Sequence, residues 1–163
     1  MGPDRACAEW LLKNGAAVKW HKSDKFLKDY NSMPVSGIRS LKIQAVDATN
    51  SSIMHIGFPY FNDLEHFDKL ILNNCAYIED PSLISLSRIC REQLTWLEIV
   101  QCKSVTEKGL LALANFERLK RLHIEDLKYV TDENAKIVIE ELKKALPNCH
   151  LTFPPYLSDD IEE

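Results

Sequence analysis

The sequence predicts an α/β fold: a short solenoid of about four strand–helix repeats behind a small N-terminal capping domain. Three observations carry this. Residues 94–113, LTWLEIVQCKSVTEKGLLAL, read as LxxLxIxxCxxVTxxGLxxL. The same template fits residues 67–86 (FDKLILNNCAYIEDPSLISL) and 119–138 (LKRLHIEDLKYVTDENAKIV), and a weaker copy, IRSLKIQAVDATNSSIMHIG, begins at Ile38. The aligned pairs Leu41/Ile43, Leu70/Leu72, Leu97/Ile99 and Leu122/Ile124 recur after 29, 27 and 25 residues. That period lies in or near the leucine-rich-repeat range of about 20–29.

Each unit has a physical reading. The last two apolar residues of LxxLxI are two apart, so both point to one face of a short strand. A third apolar residue follows three positions on: Val46, Cys75, Cys102 and Leu127. Next comes a helix-start signal, Asp80-Pro81, Thr106 or Thr131. Asp or Thr at such a place accepts from unpaired amides of the first turn, and proline suits the first helical position. The helix then offers Leu83/Leu86, Leu110/Leu113 or Ala135/Val138 to the core. One unit cannot bury these residues alone, whereas stacked units can.

Residues 1–36 lie ahead of the repeats as a capping domain. GPDRACAEWLLKNG reads as a helix with Pro3 near its start, Lys13 in its last turn and Asn14-Gly15 as its stop. Ala6, Trp10 and Leu11 are its predicted inner face, with Cys7 and Ala8 beside them. Ala17–Trp20 suits a strand covering the open edge of the repeat sheet. Residues 24–34, DKFLKDYNSMP, read as a short helix or turn. The repeats occupy 37–153, with a final helix over 132–146 and an edge strand over 150–153. The acidic tail, 154–163, ends in SDDIEE and is expected to be solvated.

Composition narrows the function. The 163 residues are 45% hydrophobic, enough for a core, and carry a net charge of −4. That balance argues against a strong sequence-independent nucleic-acid binder, which needs a basic footprint. No run is long and apolar enough to span a bilayer. The five cysteines are odd in number and show no CxxC spacing, so neither a disulfide framework nor a zinc site is indicated. Cys75 and Cys102 fall at equivalent repeat positions and read as buried fillers. The five histidines are scattered without an HxxxH pair, and phosphate-cradling glycine motifs are missing. A non-enzymatic monomer follows.

The exposed strand face is the candidate site. Alternation places Ser40, Lys69, Trp96 and Arg121 in one row, Lys42, Ile71, Glu98 and His123 in the next, and Gln44, Asn73, Val100 and Glu125 in a third. An exposed Trp96 between Lys69 and Arg121 suits an interface anchor, with Ile71 and Val100 adding apolar area.

The segments GPDRACAEWLLKNGA, KDYNSMP, KIQAVDATNSSIMHIGF, CAYIED and VTEKGLLAL together resemble the mitochondrial coupling factor B (ATP synthase subunit s) family over essentially the whole chain. The GPDRA…EWLL, DYNxxP and DAT segments carry more of the likeness than the widely shared repeats. The resemblance implies a matrix-side protein associated peripherally with the inner mitochondrial membrane, acting with the proton-translocating ATP synthase. A related branch implies an alternative, assembly of the distal membrane arm of respiratory complex I. It also implies a Mg²⁺ site between the N-terminal domain and the first repeat, at Gly15 and Thr49, with Asp47 as a supporting acceptor. A helix C-terminus offers unpaired carbonyls, and Mg²⁺ keeps several waters, so few protein ligands suffice. Without the resemblance, Gly15 is a helix stop and Thr49 a turn residue.

Two departures stand out. Members with a close CxC dithiol carry it in the second repeat, where this chain reads Asn73-Asn74-Cys75. The family also has a targeting peptide and an apolar stretch ahead of the point matching Met1. A competing reading, a substrate-recognition subunit of a ubiquitin ligase, shares such cysteine-containing repeats, but no F-box-like segment precedes them here.

Overall fold

The computed structural model describes residues 2–37 and 40–158. Its chain alternates strands with helices: α1 (Pro3–Lys13), β1 (Ala17–Trp20), β2 (Phe26–Leu27), β3 (Ile43–Asp47), β4 (Lys69–Asn73), α2 (Asp80–Ile89), β5 (Trp96–Val100), α3 (Glu107–Leu111), β6 (Arg121–Glu125), α4 (Asp132–Ala145) and β7 (His150–Thr152). The strands form a seven-stranded sheet in the order β2-β1-β3-β4-β5-β6-β7, antiparallel at its first two pairings and parallel from β3 to β7. The fold is therefore mixed α/β.

Three consecutive units repeat closely. Leu70/Leu72, Leu97/Ile99 and Leu122/Ile124 are fully buried, as are Leu83/Leu86, Leu110/Leu113 and Ala135/Val138 on the helices. Each strand is followed by a residue in the left-handed region: Asn74 (φ 53°), Gln101 (φ 53°) and Asp126 (φ 54°). Asn and Asp tolerate this conformation best, so Asn74 and Asp126 suit it where Gln101 does not, and it turns the chain sharply off the sheet.

The first unit follows the same plan in a different register. Val46 pairs with Leu70 and Asp47 with Ile71, and Asn50 (φ 58°) takes the left-handed position. Leu41 is therefore not the partner of Leu70, and Ser51, not Val46, corresponds to Cys75. β3 also carries a bulge at Gln44, where β1 residues Lys19 and Trp20 face Ala45 and Ile43. One extra residue reverses which face each side chain takes. Ile43 and Val46 are thus both buried despite their odd spacing. A 3₁₀ segment, His55–Phe61, replaces the helix of this unit. Pro59 removes a donor there, and Gly57 lies so close to Trp10 that an added Cβ would come within 2.2 Å of its indole.

Helix starts are capped across units. Thr106 Oγ1 accepts from Lys108 N and Thr131 Oγ1 from Asn134 N. For α2 the N-cap is Glu79 rather than Asp80, and its amide donates to Ser82 Oγ at 2.9 Å. Asp80 instead accepts from Thr106 N (2.7 Å) and Oγ1 (2.6 Å), holding the start of the next helix.

The N-terminal segment shares the repeat core. Its buried stripe is Asp4, Cys7, Ala8, Leu11 and Leu12, while Ala6 and Trp10 are half-buried. Trp10 packs edge-on to Phe58 and Phe61 and stacks on Tyr60. Asp4 Oδ1 accepts from Ile43 N at 2.7 Å, tying α1 to β3. Residues 24–34 supply β2 and a 3₁₀ turn at Tyr30–Ser32, so this stretch extends the sheet beyond β1. At the far end, Phe153 bridges Leu157, and the Tyr156 hydroxyl donates to Asp132 Oδ1. Of the expected acidic tail, residues 159–163 lie outside the described residues.

Candidate partner-binding face

The helices cover one face of the sheet and the other stays open. On the open face the register brings Ala45, Lys69, Trp96, Arg121 and His150 into one row. A second row holds Asp47, Ile71, Glu98, His123 and Thr152. Asn73, Val100 and Glu125 begin a third. The predicted residues from β4 to β6 thus lie together. Ser40, Lys42 and Gln44 do not join these rows, because β3 pairs with β4 through Ala45–Asp47, five residues further along than the Leu41–Leu70 spacing implies. Lys42 instead lies 3.8 Å from Asp4 and 3.9 Å from Glu65, and Gln44 accepts from Lys19 Nζ at 2.8 Å.

Trp96 is the centre of the first row, half-buried rather than freely exposed. Lys69 Nζ lies 3.9 Å from its ring centroid and Arg121 Cζ 4.6 Å. The flanking strands bring the two cations onto the ring from either side, each contact contributing roughly 0.5–2 kcal/mol. The indole N–H is covered and has no acceptor among the described residues. In the second row, His123 contacts Thr152 through Nδ1 and Glu125 through Nε2, the latter at 2.9 Å.

A hollow of about 400 Å³ opens beside Trp96, lined by Lys19, Asp24, Phe26, Gln44, Ala45, Asp68, Lys69, Thr95 and Trp96. Lys19, Asp24 and Phe26 were missed as site residues. The available signal was β1 itself: once it pairs with β3, Lys19 faces Ala45 and falls in the Trp96 row. The placement of Phe26 on a two-residue strand had no sequence signal.

The turns that carry Gly15 and Thr49 touch. Gly15 takes φ +83°, and a Cβ on it would meet Ser51 Cα at 3.8 Å. Asn14 O accepts from Ser52 N at 2.9 Å, so the end of α1 rests on the turn after β3. Thr49 donates from both its amide (3.0 Å) and its hydroxyl (2.6 Å) to Asp47 Oδ1. These oxygens suit at most a largely hydrated hard cation. Among the described residues, no group of three or more His, Cys, Asp or Glu is arranged to hold a metal ion.

The cysteines are free thiols. Burial pushes Cys7 and Cys90 far above the usual range, and it pushes half-buried Cys149 up to about 11. Cys75 Sγ donates to Ala48 O at 3.0 Å and Cys102 Sγ to Leu72 O at 3.5 Å, so each thiol ties its turn to the preceding unit. No described helix is long and apolar enough to cross a membrane.

No family model matches the sequence. The chain is 43% identical over 153 residues to ATP synthase subunit s, mitochondrial, of Homo sapiens, and 45% identical to that of Mus musculus. Each match covers 93% of this chain and 76% of the relative. It is also 26% identical over 153 residues to distal membrane arm assembly component 2 of Drosophila melanogaster, covering 90% of this chain and 53% of that protein. With this identity carried through nearly all the elements described, the chain belongs to the family of mitochondrial ATP synthase subunit s, the coupling factor B family that its sequence resembles.

Proposed function

We propose that this protein is a non-enzymatic mitochondrial accessory protein that binds the proton-translocating ATP synthase and supports energy coupling. It works from the matrix side as a peripheral monomer. In this reading residues 37–153 are a short leucine-rich-repeat solenoid and residues 1–36 its cap. The open face around Trp96 is the docking surface, with Lys69, Arg121, Ile71, Glu98, His123 and Val100 around it. The observation that carries the reading is the conjunction of family membership with a cation-flanked tryptophan on an open sheet face beside a hollow. Such aromatic anchors dominate many protein interfaces.

A second reading, assembly of the distal membrane arm of complex I, is favoured by the Drosophila relative bearing that name. Crosslinking mass spectrometry on intact mitochondria of the source organism separates the two. Crosslinks to ATP synthase subunits support the first, and crosslinks confined to complex I membrane-arm subunits replace it with the second.

The Mg²⁺ site belongs to the same proposal. Carbonyl oxygens at the Gly15 helix end and the Thr49 turn would hold a hydrated ion, with Asp47 as a supporting acceptor. Isothermal titration with Mg²⁺ tests it. Heat that Thr49→Val abolishes supports the site, whereas no heat, or heat that survives the substitution, removes it.

A further inference from the structure

We propose that the open face takes an acidic segment of a protein partner, whose carboxylate meets Lys69 and Arg121 beside Trp96 and whose neighbouring apolar side chain enters the hollow against Phe26. The inference rests on the open face being the docking surface and adds the chemistry of what docks there.

The centre of the first row gathers cations. Lys69 and Arg121 flank the Trp96 ring, and neither takes part in an ion pair, although other cations of the described chain do. Two like charges held on one ring repel each other, and a ring quadrupole offsets that only in part. What the cluster lacks is an anionic acceptor. An arginine fork and a lysine ammonium together suit a carboxylate.

The second row fixes the orientation. Asp47 is engaged by Thr49, and His123 by Glu125 and Thr152. Among the described residues Glu98 has no ion-pair partner. Successive same-face rows lie about 7 Å apart. A segment with an acidic residue over Lys69 and Arg121 must therefore keep a second carboxylate away from Glu98. A lysine, arginine or hydroxyl fits there. Ile71 and Val100 supply apolar contact alongside. The hollow, about 400 Å³, has Ala45, Phe26 and Trp96 as its apolar walls, and Phe26 is 43% exposed. It has room for one large apolar side chain.

The same charges argue against other anionic occupants. A polyanion or an anionic bilayer would bring negative charge over Glu98, Asp24 and Asp68 as well, on a chain of net charge −4. A single carboxylate in a peptide avoids them.

The test uses the full chain against an array of overlapping peptides from ATP synthase and complex I membrane-arm subunits. Cardiolipin-containing vesicles are tested in parallel. The expected result is capture of peptides bearing an acidic residue next to a large apolar one, weakened by salt. The folded double variant Lys69→Glu/Arg121→Glu should lose at least about tenfold in affinity. Glu98→Lys should gain binding to peptides with a second acid about two residues on, which a merely structural residue would not do. If the double variant fails to fold, Lys69→Gln and Glu98→Lys taken singly carry the test. Capture of neutral or basic peptides only, unchanged capture by folded variants, or binding to vesicles without acidic peptides overturns the proposal. Acidic peptides from complex I alone would sink the ATP synthase reading and leave this one standing. ATP synthase crosslinks confined to the helix side would do the reverse.

Discussion

Gly109→Ala is a demanding test of how α2 and α3 fit together. On an isolated helix the change is favourable by about 1 kcal/mol. Here Gly109 is buried, and an added Cβ would lie 2.5 Å from Asp80 Oδ1 and 3.0 Å from Asp80 Cα. The carboxylate cannot swing away freely, because it accepts from both the amide and the hydroxyl of Thr106. Relief of the clash therefore moves α3 or breaks its cap. Overpacking costs about 1–3 kcal/mol, and a hydrogen bond to a charged group about 1.5–3 kcal/mol. Set against the propensity gain, the net loss is about 1.5–5 kcal/mol. For a chain of this size that lowers Tm by roughly 3–20 °C. Far-UV circular dichroism melts of Gly109→Ala, Asp80→Ala and the double variant give the measurement. Removing the Asp80 carboxylate should cut the cost of the added methyl to about 1 kcal/mol, the signature of a coupled pair. A single variant that melts with the parent, or an equal penalty in both backgrounds, refutes the reasoning.

Other perturbations separate fold from function. Leu97→Ala removes a fully buried leucine and should destabilise by about 2–5 kcal/mol in denaturant titration. Trp96→Ala loses two cation–π contacts and should cost about 1–4 kcal/mol while weakening partner capture, and outright unfolding of this variant would mean that Trp96 is part of the core. Asp4→Ala strands the buried Ile43 amide and should cost about 1–3 kcal/mol, read as an earlier urea midpoint. Cys149, raised to about 11 by burial, should be alkylated slowly at neutral pH and faster as pH climbs towards 11. Its thiol ionises near the ordinary 9.0 when unfolded, so its contribution to stability is present below pH 9 and lost as pH rises to about 11. Cys149→Ser should flatten that alkaline loss.

The units from β4 to α4 were legible because two periodicities meet there. Leucines two apart marked the strands, and a Thr or Asp-Pro before the next apolar run marked the helix starts to within a residue. The first unit misled because LKI imitates the strand pattern five residues early. The bulge at Gln44 breaks the parity on which alternation depends. A better marker was the polar residue ahead of the turn: Asn50, Asn74, Gln101 and Asp126 share one left-handed conformation. The hollow was only half legible. Its Trp96 side follows from repeat alignment, but Phe26 and Asp24 arrive through a two-residue strand whose pairing is long-range and weakly encoded. Asp4 stands where an acidic residue commonly starts a helix, so nothing local marks it as a buried acceptor for a strand thirty-nine residues away.

The clamped indole gives the molecule its own optical probe. Trp10 sits among Phe58, Tyr60 and Phe61, remote in environment from the two cations that bracket Trp96. Positive charge near an indole shifts its emission according to which ring end it faces, so drawing Lys69 or Arg121 away changes colour as well as intensity. With Trp10 and Trp20 replaced by phenylalanine, the remaining fluorophore would report occupancy of the open face by a tryptophan-free peptide in real time and without a label.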